Sequence, residues 1–379
     1  MSSKPQRLDG LDGLRGLAAL AVVCLHVWMY TEAHRPDNNV LVDAVVGEFR
    51  VAVGLFFVLS GFLLARPWIA AARGERPMPA LGRFAVRRAA RIVPAYWLAL
   101  GLSFLLLEGT GHGRAAEARQ LPVFAAFLEN MFEATRSKLD PPMWSLGIEI
   151  TFYAALPLIG WALVRAARRR SVAGPLAVCA ALIAASTVWL YAGLRGDWPL
   201  TTMWTLPSYL PLFACGIGAA VLAHGRVLRR REALALLVAG SALVLANGYW
   251  HEEGTGFFGH VVGDLPAAIG FGAVIAAVAV RPAGVLSTRP LQALGTLSYG
   301  IYLWHMPVMF ALQLRGVWPH TAGPAFVRVM LPTIALATAS WFLVERPVLR
   351  LADRARRTSR ERRGRPAGVL QDPRPVRAG

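Results

Sequence analysis

The sequence has little lysine, little acidic charge and few cysteines. Lys4 and Lys138 are its only lysines, although lysine and arginine together number 40, against 22 aspartates and glutamates. Three cysteines without a CxxC spacing argue against a disulfide framework or a metal site, and we expect no bound metal. The net charge of +18 does not indicate a nucleic-acid partner, because the arginines lie at the ends of apolar segments.

The sequence is rich in long apolar segments. Hydrophobic residues make up 55% of the chain and charged residues 16%, which is a low charged share for a soluble protein. Ten apolar segments are each long enough to cross the hydrocarbon core of a bilayer. They lie near residues 12–30, 46–65, 92–108, 144–164, 174–194, 204–223, 233–250, 263–280, 291–312 and 325–345. The sequence therefore predicts an all-α integral membrane protein with about ten transmembrane helices.

The basic residues predict how the chain is oriented. Ten crossings place both termini on one side. The segments on that side contain 31 lysines and arginines, and the segments on the opposite side contain 8. Because positive residues accumulate in cytoplasmic loops, we predict that both termini are cytoplasmic. We assign residues 1–347 to one membrane domain and residues 348–379, rich in arginine and proline, to a disordered basic tail.

The first segment carries two polar residues, Arg15 and His26. They are eleven residues apart, so helical geometry puts them on one face, about 16 Å apart along the axis. An ionisable residue at the depth of His26 is costly in a bilayer and usually faces a protein interior or an aqueous path. Neutral histidine is a general base near pH 7, but a structural hydrogen bond between helices explains His26 equally well.

The fourth segment opens with WSLGIE, residues 144–149. Glu149 lies at about the depth of His26, and Tyr153 follows one helical turn later. A carboxylate beside a histidine orients the ring and stabilises its charged form, so we expect Glu149 to orient His26. A structural ion pair or part of a proton path is the alternative.

Two motifs near the predicted cytoplasmic side offer room and charge for a ligand. The small residues of FFVLSGF, residues 56–62, allow close helix packing or make space for a ligand chain. Arg88 and Arg91 share one helix face at the membrane boundary. Arginine forks suit phosphate oxygens, although anchoring of the chain is the simpler explanation for any one of them.

The ninth segment contains SYGIYLWHMP, which places a histidine in the middle of the membrane. His305 lies there with Tyr302 one turn before it. This histidine is either a second polar residue of a site, where it shapes the substrate or stabilises an oxyanion, or a structural donor between helices.

Six motifs together resemble the acyltransferase-3 family of integral membrane O-acyltransferases. They are LDGLRGLAALAVVCLH, FFVLSGF, RRAARIVPAYW, WSLGIEITFY, SYGIYLWHMPV and WFLVERP, and they follow the family's order from residue 11 to residue 347. The resemblance implies acyl-CoA as donor, no bound cofactor, and transfer of a short acyl group to a hydroxyl, commonly on a sugar. It also implies a multi-pass protein of the bacterial cytoplasmic membrane.

The resemblance implies roles for individual residues as well. The family's arginine and histidine, separated by ten residues, match Arg15 and His26, and the histidine is expected to be the catalytic base. The glutamate of the WSL motif matches Glu149, the second candidate catalytic residue. The candidate substrate and acyl-CoA-binding residues are Arg15, Phe56, Phe57, Ser60, Gly61, Arg88, Arg91, Trp144, Ser145, Tyr153, Tyr302 and His305.

Several alternatives stay open at this point. The acceptor is either a macrolide antibiotic or a cell-surface polysaccharide or lipid-linked glycan, and the acyl group passes directly or through a covalent acyl-His26 intermediate. A function of another class also fits ten helices with intramembrane histidine and glutamate. That function is a proton-coupled transporter, which moves its substrate without consuming acyl-CoA.

Overall fold

All regular secondary structure in the described residues is helical. The computed structural model describes residues 9–31, 40–167, 171–253, 263–281 and 284–354. The α-helices are α1 (Asp9–Thr31), α2 (Val40–Gly47), α3 (Ala52–Ala72), α4 (Leu81–Leu107), α5 (Leu121–Ala125), α6 (Trp144–Ala166), α7 (Ala173–Arg195), α8 (Leu200–Met203), α9 (Leu206–Ala223), α10 (Arg230–Glu253), α11 (Leu265–Val280), α12 (Arg289–Leu314) and α13 (Ala322–Ser340).

Each of the ten predicted crossings coincides with one of the longer helices. Within the described ranges, eight stretches are long and apolar enough to cross a membrane. Helix α11 is apolar but only 16 residues long. Helix α12 has 26 residues, but polar side chains such as Ser298, Tyr302 and His305 lower its hydropathy. The chain is an all-α integral membrane protein, as predicted.

Helix α3 is central, because it packs against α1, α6, α9 and α11. A Cβ atom at Gly61 would lie 2.3 Å from the carbonyl oxygen of Phe213 in α9. A Cβ atom at Gly216 of α9 would lie 2.0 Å from the carbonyl oxygen of Val58. Only glycine allows backbones to approach this closely, which is how membrane helices gain van der Waals contact.

Two apolar cores divide the bundle. The first involves α3, α6, α9 and α11, and in it the rings of Phe152 and Phe213 stack with centroids 3.8 Å apart. The second involves α1, α4, α12 and α13 and includes Tyr96 and Phe310. Phe56 packs against both cores, so the boundary between them runs past this residue. Polar side chains of α1, α3, α6 and α12 meet at that boundary.

The last helix extends beyond the predicted end of the membrane domain. A π-helical turn at Trp341–Glu345 follows α13, and the helix then continues through Arg354. Pro347 lacks an N–H group, and a π-helical turn just before it lets the helix continue despite the missing bond. Residues 348–354 are therefore helical rather than part of a disordered tail, and residues 355–379 lie outside the described residues.

Candidate functional site

A polar cavity lies at the boundary between the two cores. Its walls come from α1, α3, α4, α6 and α12. Ten of the fourteen candidate residues line it, namely Arg15, Phe56, Phe57, Ser60, Arg88, Arg91, Ser145, Glu149, Tyr153 and Tyr302. Its volume of about 70 Å³ is far below the roughly 300 Å³ of a small-molecule pocket. The cavity therefore fits the reacting end of a substrate and not a whole nucleotide-bearing donor.

Arginines gather at the predicted cytoplasmic end of this cavity. Arg15 comes from the beginning of α1, and Arg88 and Arg91 come from the first half of α4. The Arg88 guanidinium carbon lies 5.8 Å from the centroid of the Tyr153 ring. The buried Nε atoms of Arg15 and Arg88 have no hydrogen-bond partner within the described part of the chain. Both N–H groups are thus available to an anionic ligand such as a phosphate.

Glu149 is held by α3 and by its own helix. Its Oε1 accepts a hydrogen bond from the Ser60 hydroxyl, at 2.7 Å, and another from the Tyr153 hydroxyl one turn later. The expectation that Glu149 orients His26 is therefore corrected, since the ring bonds to another partner. Matching depth in two helices does not make their side chains face each other: α6 turns Glu149 toward α3, whereas His26 of α1 faces α12.

The partner of His26 is His305. The Nδ1 atom of His26 lies 3.0 Å from Nε2 of His305, and the two rings stack with centroids 5.0 Å apart. Nδ1 of His305 lies 2.7 Å from the carbonyl oxygen of Tyr302. His305 is fully buried, whereas His26 keeps some exposure.

These contacts determine which nitrogen atoms carry protons. A carbonyl oxygen only accepts, so Nδ1 of His305 must donate to Tyr302. Neutral His305 then accepts at Nε2, and Nδ1 of His26 must donate to it. Nε2 of His26 is then the unprotonated nitrogen, with no hydrogen-bond partner among the described residues, and this is the form that removes a proton from a substrate.

Tyr302 separates the histidine pair from the cavity. Its ring lies 5.9 Å from that of His305 and 6.2 Å from that of Phe56, between centroids. Its hydroxyl donates to the carbonyl oxygen of Pro142 at 2.5 Å and lies 2.7 Å from the Ser145 hydroxyl oxygen. The WSL serine therefore helps to fix the tyrosine wall between the cavity and the histidine pair.

Four candidate residues do not line the cavity. His26 and His305 lie behind its wall, Gly61 packs on the backbone of α9, and Trp144 belongs to an aromatic cluster. Neither Ser60 nor His305 has a spare donor for an oxyanion, because Ser60 donates to Glu149 and the N–H of His305 to a backbone carbonyl.

Sequence reasoning missed Tyr299 as a lining residue. Its hydroxyl donates to the carbonyl oxygen of Ile92 at 2.8 Å, which ties α12 to α4 beside the arginines. Tyr299 precedes Tyr302 by three residues, and this spacing puts two residues on the same side of a helix. That spacing was the signal that could have identified Tyr299.

Two buried carboxyl groups lie in the segment between α4 and α6, beside this site. Glu129 and Asp140 are 3% and 2% exposed, and their carboxyl oxygens have no hydrogen-bond partner among the residues described. Burial raises the pKa of Glu129 to about 8. Burial, and then the nearby Glu129, raise the pKa of Asp140 well above its usual value. Both groups favour the protonated form in the folded protein.

Comparison with known proteins gives consistent matches. Nodulation protein 10 of Rhizobium leguminosarum bv. viciae is 27% identical over 87% of this chain and 90% of its own length. Exopolysaccharide production protein ExoZ of Rhizobium meliloti (strain 1021) is 29% identical over 83% of this chain and 94% of its own. The putative peptidoglycan O-acetyltransferase YrhL of Bacillus subtilis (strain 168) is 26% identical over 79% of this chain and 50% of its own. No solved structure matches the chain.

The family match covers nearly the whole chain. The model of the Acyl_transf_3 family, described as an acyltransferase domain, matches residues 8–344. This range contains every residue of the polar cavity and both histidines of the pair. The chain belongs to the acyltransferase-3 family and is a multi-pass membrane acyltransferase.

Proposed function

We propose that the protein transfers a short acyl group from acyl-CoA to a hydroxyl group of a glycan, in the cytoplasmic membrane of a bacterium. The observation that carries the proposal is the His26–His305 hydrogen bond, because it leaves Nε2 of His26 as an unprotonated base within the membrane. The names of two relatives, an exopolysaccharide production protein and a putative peptidoglycan O-acetyltransferase, support a glycan acceptor.

The donor binds at the end of the cavity where the arginines lie. The phosphates of acyl-CoA pair with Arg88, Arg91 and Arg15, whose guanidinium groups suit phosphate oxygens. The cavity is too small for the nucleotide, so the nucleotide stays at the predicted cytoplasmic surface, and the acyl thioester extends through the cavity and past Tyr302 to the His26–His305 pair. The buried Nε–H groups of Arg15 and Arg88, which have no hydrogen-bond partner among the described residues, support an anionic ligand at this end.

The reaction is an acyl transfer with His26 as general base. Nε2 of His26 takes the proton of the acceptor hydroxyl as its oxygen attacks the thioester carbonyl carbon. The tetrahedral intermediate collapses, the carbon–sulfur bond breaks, and CoA leaves as a thiolate that receives the proton from His26. His305 keeps the ring of His26 oriented throughout, by accepting the hydrogen bond from Nδ1.

Glu149 has a positioning role in this scheme. It joins α6 to α3 through Ser60, and Tyr153 of its own helix holds the carboxylate from the other side of the turn. Its negative charge lies in the same cavity as Arg15, and in this way it balances the cluster of arginines at the donor end.

The test is CoA release by the purified protein in lipid vesicles. We expect free thiol to appear from acetyl-CoA in the presence of a β-linked oligosaccharide, and His26→Ala to remove this activity without loss of folded protein. His224→Ala is the matched control, because His224 pairs with Glu75 outside the cavity. Full activity of the His26 variant would refute the proposal, and substrate flux across the vesicle without thiol release would favour a transporter.

A further inference from the structure

A second cavity opens at the predicted outer end of the bundle. It lies among the ends of α7, α9 and α11 and has a volume of about 480 Å³. This volume is within the roughly 300–1,000 Å³ of small-molecule sites. Its wall combines aliphatic side chains with aromatic rings and side-chain oxygens, the rings and oxygens coming from Asp197, Trp198, Trp204, Ser208, Tyr209 and Asp264.

The loop after α7 holds the ring of Trp198 in place. The backbone N–H of Trp198 donates to the carbonyl oxygen of Gly193 at 3.0 Å. A Cβ atom at Gly196 would lie 2.8 Å from Nε1 of Trp198, so the ring packs directly on this glycine. Trp189 contacts the ring in a T-shaped arrangement, with centroids 4.9 Å apart. A ring fixed in this way loses little conformational entropy when a ligand stacks on it.

One carboxylate of the wall is held by hydrogen bonds, and one buried hydroxyl lacks a partner among the described residues. Oδ1 of Asp264 accepts hydrogen bonds from Arg50 at 2.7 Å and from Asn247 at 3.0 Å. The buried Oγ of Ser208 has no hydrogen-bond partner within the described ranges. Carboxylate and hydroxyl oxygens at such positions suit the hydroxyl groups of a ligand.

An aromatic cluster joins this cavity to the polar cavity of the active site. The rings of Trp204 and Tyr209 lie 5.5 Å and 5.2 Å from that of Trp144, between centroids. Trp144 in turn lies 6.2 Å from Phe57, which lines the polar cavity. A ligand in the outer cavity is therefore separated from the active site by this aromatic layer.

Tryptophan and tyrosine at a membrane boundary often form only an interfacial belt. Trp161 of α6 is of that kind, since it is 55% exposed and lines none of the cavities described above. Trp198, Trp204 and Tyr209 instead surround a concave space that also contains two carboxylates and a hydroxyl. Flat apolar faces combined with carboxylate and hydroxyl oxygens match a pyranose ring, which has apolar C–H faces and a rim of hydroxyl groups.

We infer that the outer cavity binds a β-linked pyranose segment of the acceptor. This inference rests on the proposed function, and it adds a location: the acceptor approaches from the predicted outer side. Equatorial β-linkages keep successive sugar rings flat, so such a chain presents its faces to Trp198 and to the rings that lead toward Trp144.

The test is calorimetric titration of the purified protein with the β-1,4-linked tetrasaccharides of glucose and of N-acetylglucosamine. We expect at least one to bind, and Trp198→Ala to weaken that binding roughly three- to tenfold, the range for loss of one ring-stacking contact. Trp198→Phe should retain most of the parental affinity because it keeps a stacking ring. Trp161→Ala, a matched tryptophan outside the cavity, should leave it unchanged.

Three outcomes would overturn the inference: neither tetrasaccharide binds, the two alanine variants weaken binding equally, or a macrolide aglycone binds more tightly than both tetrasaccharides. These failures are distinct from failure of the proposed function. The comparison of His26→Ala with the parent in thiol release changes the base and leaves the outer cavity intact, whereas calorimetry measures binding to the cavity without the reaction.

Discussion

Replacing His305 is the sharpest test of the catalytic arrangement. In the His305→Ala variant, Nδ1 of His26 loses its acceptor, and the ring no longer has a preferred orientation or tautomer. Loss of one neutral hydrogen bond, about 1 kcal/mol, sets a lower limit of roughly fivefold on the effect. Complete loss of a general base, about 10⁴-fold, sets the upper limit. We expect kcat to fall by about 10- to 100-fold, with the KM for acyl-CoA little changed.

The conservative variant separates orientation from proton transfer. A glutamine at position 305 carries an amide oxygen that accepts a hydrogen bond from Nδ1 of His26 but takes up no proton. If His305 orients the base, His305→Gln recovers most of the lost kcat. The assay is thiol release from acetyl-CoA in vesicles, measured over a range of donor concentrations so that kcat and KM are obtained separately.

A buried neighbour provides the control for structural damage. Met306 is 1% exposed and lies beside His305 in α12, so Met306→Ala also leaves a void in the core. We expect this variant to lose stability but to keep its kcat. An orienting role for His305 is refuted if His305→Ala retains the parental kcat or if Met306→Ala loses as much activity as His305→Ala. It is also refuted if the kcat of His305→Gln is as low as that of His305→Ala.

Three further predictions test the donor site, a buried acid and the central helix crossing. Arg91→Ala should raise the KM for acyl-CoA roughly 10- to 100-fold, as expected for a charge-assisted phosphate contact, whereas the exposed Arg87→Ala should change it less than about twofold. Burial raises the pKa of Glu129 to about 8, so the stability that this group contributes decreases as the pH rises from about 4.5 to about 8. Glu129→Gln should therefore raise the melting temperature at pH 8 and flatten its decline with pH, and a parental melting temperature independent of pH would contradict this. Gly61→Ala should lower the unfolding free energy by about 1–3 kcal/mol through overpacking, whereas Gly101→Ala, which meets no atom within 4 Å, should not, and equal thermal shifts would count against the close crossing.

The sequence by itself determined the membrane architecture and most of the cavity lining. Hydropathy and charge are local properties, so most crossings could be placed to within a few residues. The exceptions are α3, which lies six to seven residues further along the chain than predicted, the longer first turns of α4, and the helical continuation after Pro347. Residues such as Arg15 and Ser60 were identified because their motifs combine polar or small side chains with membrane depth. The structure places both of them in one cavity.

Only the tertiary structure decided which polar groups meet. Depth along a helix axis can be estimated from sequence, but the rotation of each helix about its axis depends on packing contacts such as that of Gly61 with the α9 backbone. That rotation turned Glu149 toward Ser60 and brought His26 to His305, which is 279 residues away in the chain. Contacts over such separations have no local pattern, so the sequence could name His305 as a candidate site residue but not as the partner of His26.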